Sequence, residues 1–424
     1  MPVPGDSEDS GFSSLTDAIG IGTLTRLVPR ELVDEVVAAY GRTEIRKNKV
    51  PARAAVYFVM ALSLFYGDSY EEVIRKLAAG LKYIGTWKRE WSVPTSSGLC
   101  QARQRLGPDV MRELFERVAV PCALRSTAGA WLSGRRLMAV DGVGLEAPDS
   151  EENASYFGYA GKKEKCSLPF VQMAAMVECG THAVVAAEIG KSGEGEDTLS
   201  RRILAGGAVG PEMVVMADAG LYSYRSLRMI IDAGADAIFR VGANVGLPVV
   251  QWLPDGSYIS YITEPGEKSR HYRKIRNGNA KATDYPGTPV RAVDYKVADR
   301  GDRDEIITLV TTIMDPGEVP AAELAAAYHE RWEAELAFDE IKTHQRGAAT
   351  VLRSRKPEMA AQEIWGLLLT YYGIRKLMTE AADQAELDPD RISFMRALRV
   401  VRRQVSCQAA FSPSAPGQSD LGSD

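Results

Sequence analysis

The spacing of apolar residues divides the chain into a helical first part and a second part built from short apolar runs. Between residues 20 and 130 the apolar positions recur at helical spacing, with Pro29 in a first turn and Gly41 at a helix end. The most apolar stretch, residues 51–66, contains Arg53 and is shorter than the roughly 20 residues that a bilayer span needs. We therefore expect it to be a buried core helix.

Five short apolar runs beginning at residue 137 have the length and composition of buried strands. They are LMAVD at 137–141, VQMAAMV at 171–177, AVVAAEI at 183–189, MVVMAD at 213–218 and ADAIFRV at 235–241. Helical segments at 198–204 and 224–233 separate the last three runs. The order predicts three adjacent strands followed by helix, strand, helix and strand, which is an α/β core.

Residues 242–315 change pattern again, with alternating stretches such as SYISYIT and RAVDYKV and with proline-glycine turn signals. We expect an antiparallel β insertion there, followed by helices at 321–343 and 357–382.

The predicted organisation has five parts. They are a flexible acidic N-terminus at 1–19, a helical domain at 20–130, an α/β domain with the β insertion at 131–382, a C-terminal helical segment at 383–407 and a disordered tail at 408–424.

Charge is distributed unevenly along the chain. The net charge is −5, but between residues 20 and 136 there are 19 Lys or Arg against 11 Asp or Glu, a local excess of +8. Such asymmetry indicates a nucleic-acid partner for the helical part. The five cysteines contain no C-x-x-C pair, and the N-terminus has no apolar secretory segment, so we expect reduced thiols in a cytoplasmic protein without a zinc site.

Two aspartates each end a predicted buried strand, Asp141 after LMAV and Asp218 after MVVMA. Catalytic groups of α/β sheets collect at the carboxyl ends of strands. A single aspartate at such a position is more often a turn residue, but two strands with the same ending favour a site.

The third candidate acid lies on the predicted helix at 321–343. Offsets of 3, 7 and 14 residues from Tyr328 place Arg331, Glu335 and Lys342 with it in a stripe roughly 60° wide. Apolar residues flank this stripe on both sides, with Trp332 and Leu336 on one and Ala334, Phe338 and Ile341 on the other. We expect the stripe to be partly buried, which favours a functional site over a solvated face.

A helical pair at 95–118, broken by Gly107-Pro108, has the spacing of a helix-turn-helix and makes Arg103 and Arg105 candidate DNA contacts. Helical hairpins without this role are common. The basic runs at 268–276 and 353–356 are suited either to DNA contact or to a solvated surface.

These motifs resemble the insertion-sequence-4 family of DDE transposases. Its signature Y-x2-R-x3-E-x6-K is met by Tyr328, Arg331, Glu335 and Lys342. The sequence Asp218-Ala-Gly-Leu-Tyr222 and the segment from Asp141-Gly142 to Phe157-Gly158 are also similar to the family's, and the resemblance covers about residues 20–380.

The resemblance implies a ribonuclease-H-like catalytic core interrupted by the β insertion and preceded by the helical DNA-binding domain. It also implies two Mg²⁺ ions, or Mn²⁺ in their place, with Asp141 bridging both and Asp218 and Glu335 holding one each. Arg331 and Lys342 would bind DNA phosphates near the cleaved end, and Tyr328 would form a hydrogen bond with the same DNA backbone. The partner would be double-stranded DNA, both the terminal inverted repeats of the element and the target, and the protein would bind it as a homodimer. Neither a membrane nor a nucleotide would take part.

Some members of the family form DNA hairpins and flip a base, for which Trp252 is the candidate stacking residue. An anchoring role for Trp252 in the insertion's own core is at least as common. Two other functions remain open, a DNA-binding protein without catalysis, such as a domesticated transposase, and a metal-dependent nuclease without strand transfer.

Overall fold

The first part of the chain is helical in the computed structural model, which describes residues 23–43, 50–79, 93–160, 168–279, 281, 284, 286–297, 305–347 and 351–406. Helices α1 to α6 are Thr23–Leu27, Arg30–Ala39, Ala52–Leu64, Tyr70–Ala79, Ser96–Leu106 and Pro108–Val118. They confirm the helical prediction for the described residues. The predicted N-terminal segment 1–19 and tail 408–424 lie outside the described residues, and the predicted domain boundaries stay predictions.

Helix α3 is the buried core helix that its composition predicts. Every residue of Ala52–Leu64 is buried except Arg53, which forms a salt bridge with Asp34. Val59 of α3 lies so close to Gly366 that a Cβ there would come within 2.6 Å of the valine side chain. The first helices and a late helix therefore share one core. Among the described residues, no helix is long and apolar enough to cross a membrane.

The described strands form one ten-stranded sheet. Strands β1 to β10 are Trp131–Leu132, Arg135–Glu146, Phe170–Glu178, Ala183–Lys191, Met213–Ala217, Asp236–Val241, Gln251–Trp252, Tyr258–Ile262, Thr288–Val297 and Glu305–Thr311. Their order is β4-β3-β2-β5-β6-β10-β9-β8-β7, with β1 paired to β2. The β2–β5 and β5–β6 pairs are parallel and all others are antiparallel, so the five predicted strands form one half of the sheet.

Strand β2 continues past Asp141 to Glu146, which corrects the expectation that this strand ends at the aspartate. Gly142, the residue after the aspartate, is a close-approach position, because a Cβ there would lie 2.2 Å from the Glu196 Cδ atom. A Cβ at Gly144 would likewise lie 1.7 Å from the Phe170 ring. Both glycines let neighbouring side chains cross the strand.

The insertion extends the same sheet, because β10 pairs with the edge of β6 and β9, β8 and β7 follow outward. The antiparallel prediction is confirmed for these strands. It is wrong for the basic run, since Glu267–Arg276 forms a helix that starts after Gly266 in a left-handed conformation (φ 89°).

The remaining helices depart from the predicted pattern in three places. Helices α7 to α14 are Glu151–Phe157, Glu196–Ala205, Tyr224–Asp232, Glu267–Arg276, Ala321–His329, Trp332–Asp339, Pro357–Gln384 and Phe394–Ser406. Helices α7 and α10 were not predicted, and the single helix expected at 321–343 consists of α11, α12 and a wider π-helical segment, Glu340–Gln345. A short 3₁₀ turn, Pro389–Arg391, precedes α14.

Candidate active site

Asp141 lies on β2, and Asp218 directly follows the neighbouring parallel strand β5 at a matching position. The register pairs Ala139 of β2 with Met216 of β5, and two residues further along the chain from these come Asp141 and Asp218. Adjacent strands are about 4.8 Å apart, and residues two apart on a strand point to the same face. The sheet therefore brings these two carboxylates together.

The backbone fixes one oxygen of each aspartate. Asp141 Oδ1 accepts a hydrogen bond from the Gly142 amide at 2.8 Å. Asp218 Oδ1 accepts from the amides of Gly220 and Leu221 at 3.0 and 3.1 Å, because the chain turns directly after β5. These bonds hold both carboxylates in position at the edge of the core.

The helix that carries the third acid changes its winding around Arg331. The amides of Arg331 and Ala334 bond to the carbonyls three residues earlier, Tyr328 and Arg331, at 3.2 and 3.1 Å. This tightened turn separates α11 from α12, and the π-helical segment widens the winding again beyond α12. The uniform 100° per residue of the sequence argument therefore holds only locally.

Arg331 joins Glu335 to the aspartate pair. One guanidinium nitrogen donates to Glu335 Oε1 at 3.0 Å and another to Asp141 Oδ2 at 3.4 Å. The arginine is only 8% exposed, and its charge lies over the rings of Tyr328 and Trp332 at 5.8 and 5.6 Å. One buried cation thus bridges two of the three acids.

The other two residues of the signature differ in exposure. Tyr328 is 5% exposed, and burial raises the pKa of its hydroxyl to about 12, with the Asp218 charge adding to the rise and Arg331 opposing it. Lys342 is exposed in the π-helical segment. Tyr328 is therefore a neutral donor close to the acids, whereas Lys342 is available to an external partner.

The predicted apolar walls of the stripe are only half correct. Ala334, Phe338 and Ile341 are buried, as expected. Trp332 and Leu336 are 54% and 52% exposed, because this side of α12 faces away from the sheet. Sequence reasoning assigned Trp332 a packing role and missed that it is a large exposed ring directly beside Arg331.

The three acids influence one another electrostatically. Burial raises the pKa of Asp141 to about 6, the Gly142 amide and Arg331 lower it, and the charges of Asp218 and Glu335 raise it again. The site therefore concentrates negative charge in a partly buried position. Carboxylate oxygens without histidine or cysteine form the donor set that hard divalent cations prefer.

Comparisons with known proteins agree with this geometry. Residues 18–116 match the family described as insertion element 4 transposase N-terminal, and residues 132–372, more than half of the chain, match the transposase DDE domain. The chain belongs to the insertion-sequence-4 family of DDE transposases. It is an enzyme that cleaves and transfers DNA strands, and it depends on a divalent metal ion.

Two relatives come from Escherichia coli (strain K12). The transposase is 27% identical over 387 residues to the transposase InsG for insertion sequence element IS4, covering 90% of this chain and 82% of that one. It is 24% identical over 208 residues to the putative transposase InsZ, covering 48% and 66%. A piggyBac transposase synaptic complex with hairpin DNA matches with a TM-score of 0.48 and 9% identity, over 93% and 82% of the two chains.

A second polar cluster lies on the other side of α12. Among the described residues, His182, Glu333 and Asp390 are the group whose potential ligand atoms all lie within 4.8 Å of one another. Arg375 donates to Nδ1 of His182, and Nε2 of the same ring lies 3.1 Å from Asp390 and 3.7 Å from Glu333. These contacts link the β3–β4 turn, α12 and the 3₁₀ turn before α14.

This polar cluster attaches α12 to the rest of the transposase. Burial raises the pKa of Glu333 well above its usual range, as does a hydrogen bond with Glu330, so Glu333 is neutral at neutral pH. Glu333 accepts a hydrogen bond from the amide of Gly180 in the β3–β4 turn. Arg375 of α13 bonds both oxygens of Glu340, at 2.9 and 2.7 Å, where the π-helical segment begins.

The predicted DNA contact at Arg103 needs correction. Its side chain is fully buried and donates to Gln362 at 2.9 Å, to Ser354 at 3.2 Å and to the Met359 carbonyl at 3.0 Å. A guanidinium enclosed in this way is a structural link between α5 and α13. Arg105 is exposed and remains a candidate DNA contact.

Trp252 is not part of the acidic cluster. It is 65% exposed on β7, the outermost strand, so it does not anchor a core, although its ring lies edge-on to Tyr258 at 5.2 Å. Five strand spacings separate β7 from β5, which amounts to about 24 Å across the sheet. Trp332 is the exposed tryptophan beside the site.

Metal binding should depend on pH through Asp141. Because the pKa of this carboxyl is about 6, it is largely protonated below that pH and ionised above it. We expect the affinity for Mg²⁺, measured by isothermal titration calorimetry, to rise about tenfold per pH unit up to about pH 6 and then to level off.

The Asp141→Asn variant is the control for this titration, and it should lose the pH-dependent part of Mg²⁺ binding. An affinity in the wild-type protein that stays constant between about pH 5 and 7 would show that Asp141 does not hold the metal.

Proposed function

We propose that the transposase binds the terminal inverted repeats of an insertion sequence, cleaves the DNA at them and joins the 3′ ends to target DNA. The observation that carries this proposal is the convergence of Asp141, Asp218 and Glu335, with Arg331 bonded to two of the three. Such a cluster suits phosphoryl transfer, in which catalysis consists mainly of positioning and of charge stabilisation.

The catalytic core is proposed to be ribonuclease-H-like. Its support is the order β4-β3-β2-β5-β6, in which β3 alone runs against the other four, and the location of the acids on the central pair β2 and β5. The insertion then follows β6, between the second aspartate and the glutamate. The helices at 23–118 would contribute the DNA-binding domain.

Asp141, Asp218 and Glu335 would together hold two Mg²⁺ ions, or Mn²⁺ in their place. Bound there, the ions would supply activation of the attacking hydroxyl and stabilisation of the leaving 3′ oxygen. The fit rests on the ligand chemistry, since all three residues offer carboxylate oxygens. Arg331 forms ion pairs with Asp141 and Glu335, so a positive charge already balances these two carboxylates.

The chain's own side chains would orient the DNA. Arg331 is buried over two aromatic rings and has a rigid fork of donors, so a phosphate next to the acids can replace its bonds to the carboxylates. Lys342, exposed on the π-helical segment, would contact a phosphate further along the strand. Tyr328, neutral and close to Asp218, would donate to the same backbone.

A flipped base beside the cleavage site would stack on Trp332 in preference to Trp252. Trp332 is the exposed ring that contacts Arg331, whereas Trp252 lies five strands away. We expect Trp332→Ala to reduce hairpin intermediates by about ten- to a hundredfold, since stacking contributes about 1–3 kcal/mol, and to leave nicking intact. Gel analysis of cleaved ends measures both products. Loss of hairpins in Trp252→Ala, with Trp332→Ala unaffected, would favour the outer residue instead.

The proposal is tested by incubating the protein with labelled element ends, Mg²⁺ and a target plasmid. Cleaved ends joined to the plasmid are the expected products. Binding without cleavage would favour a DNA-binding protein that has lost catalysis, and cleavage without joining would favour a nuclease. Assembly as a homodimer on paired ends, in the bacterial cytoplasm on nucleoid DNA, completes the proposal.

A further inference from the structure

The last described helix, α14, is strongly basic and lies outside both regions that match the family. The family matches end at residue 372, whereas α14 spans Phe394–Ser406. It contains four arginines and no acidic residue. Neither the family resemblance nor the proposed active site assigns a role to this helix.

The helix separates its apolar and basic residues onto opposite faces. Its inner face packs into the core through buried side chains, which are Phe394, Leu398, Val401 and Val405. Arg396, Arg399 and Arg403 are exposed. At 100° per residue these three arginines lie within about 60° of one another, so they form a single row, here called the arginine stripe.

The arginine stripe has no acidic partners in the described part of the chain. Some surface arginines of the α/β part have acidic partners, as Arg228 has Asp232 at 2.6 Å and Arg202 has Glu194. Cations three and four residues apart on one helix face repel each other. A row of unpaired cations therefore costs stability in the free protein and suits a polyanionic partner.

The fourth arginine of α14 connects the helix to the active-site region. Arg402 points inward and donates to the carbonyl of Gln345 at 3.1 Å, the last residue of the π-helical segment that carries Lys342. It also donates to the Leu64 carbonyl of α3. The arginine stripe is thus on the outer side of a helix attached one turn beyond Lys342.

We propose that Arg396, Arg399 and Arg403 bind consecutive phosphates of the DNA whose cleaved end Lys342 contacts. From Arg396 to Arg403 the helix rises about 10.5 Å, which spans about three phosphates at 3.4 Å per strand position. The partner is double-stranded DNA, recognised through its backbone and independently of sequence. This inference rests on the proposed function, because it extends the path of the same DNA.

The test measures binding of the full-length protein to a fluorescently labelled duplex of arbitrary sequence across a series of salt concentrations. Removing three phosphate contacts should reduce the slope of log K against log salt by about 2.7. The triple variant R396Q/R399Q/R403Q should therefore bind up to about 500-fold more weakly at 0.1 M salt and approach the wild type near 1 M.

Two variants serve as controls. R396K/R399K/R403K keeps the three charges and should keep the slope. R201Q/R202Q/R228Q removes three charges that are paired with Asp197 on α8, with Glu194 just before α8 and with Asp232 on α9, and it should also keep the slope. An unchanged slope in R396Q/R399Q/R403Q, or an equal loss in the lysine variant, would overturn the proposal.

The experiment separates this proposal from its alternatives. If the glutamine variant changes the mass of the protein in light scattering and not the salt slope, the stripe binds a second copy of the chain and the proposal is wrong. If the wild-type protein shows no salt-dependent DNA binding, the proposed function itself fails. If the wild type binds DNA and R396Q/R399Q/R403Q binds it with the same salt dependence, only the proposal for the arginine stripe fails.

Discussion

Asp141→Asn, Asp218→Asn and Glu335→Gln should each lower the rate of DNA strand cleavage by at least about a thousandfold, because metal-assisted charge stabilisation is worth several kcal/mol in the transition state. Each change removes one anionic ligand and keeps the size of the side chain. DNA binding should persist, because each variant keeps the size of the side chain and therefore the fold. Single-turnover cleavage of labelled element ends in Mg²⁺ measures the loss.

Glu333→Gln is the matched control for these variants. Glu333 lies two residues before Glu335 on the same helix and carries no charge at neutral pH, so the amide resembles its native protonated form. We expect cleavage close to the wild-type rate. Should all three triad variants cleave as fast as the wild type, the assignment of the active site to these acids would be wrong.

Arg103→Ala is expected to destabilise the fold by about 3–5 kcal/mol, because it leaves several buried hydrogen-bonding groups without their partner. The lost bonds join α5 to the segment that leads into α13, through Gln362, Ser354 and the Met359 carbonyl. Ser354 in turn donates to the buried Glu363 at 2.7 Å, so the charge of Arg103 is balanced through this chain of bonds. Urea denaturation followed by circular dichroism measures the effect.

Arg105 provides the comparison, two residues along the same helix. Arg105→Ala should change stability by less than about 0.5 kcal/mol, as surface substitutions usually do. If it contacts DNA, its loss reduces the salt dependence of binding by about one phosphate contact. Equal stability of the two alanine variants would show that the buried position of Arg103 is not the native one.

The sequence alone predicted those structural features that depend on interactions between residues close together in the chain. The arginine–glutamate pair of the signature is an i, i+4 contact, so helical spacing alone predicts that Arg331 and Glu335 meet. The five core strands are similarly local, since continuous apolar runs are long enough to identify each one. The proximity of Asp141 and Asp218 required the strand order, which no local pattern contains.

The failures arise where distant parts of the chain meet. Arg103 has the sequence context of a surface helix, and its burial depends on α13, some 250 residues later. The strand was expected to end at Asp141, but it continues through Gly142, where the space taken by Glu196 depends on a residue far away in sequence. The changes in helical winding at Arg331 and Glu340 lie next to long-range contacts, of Glu333 with the β3–β4 turn and of Glu340 with Arg375, which no local pattern contains.

The two ends of the sheet have a consequence for how the protein behaves at high concentration. An edge strand with free amides and carbonyls invites pairing with another molecule, and short edges reduce this risk. The insertion moves one edge from β6, which has six residues, to β7, which has two. The opposite edge, β4, is packed against α13. By ending the sheet in a very short strand, the β insertion therefore reduces edge-to-edge pairing between copies of the protein.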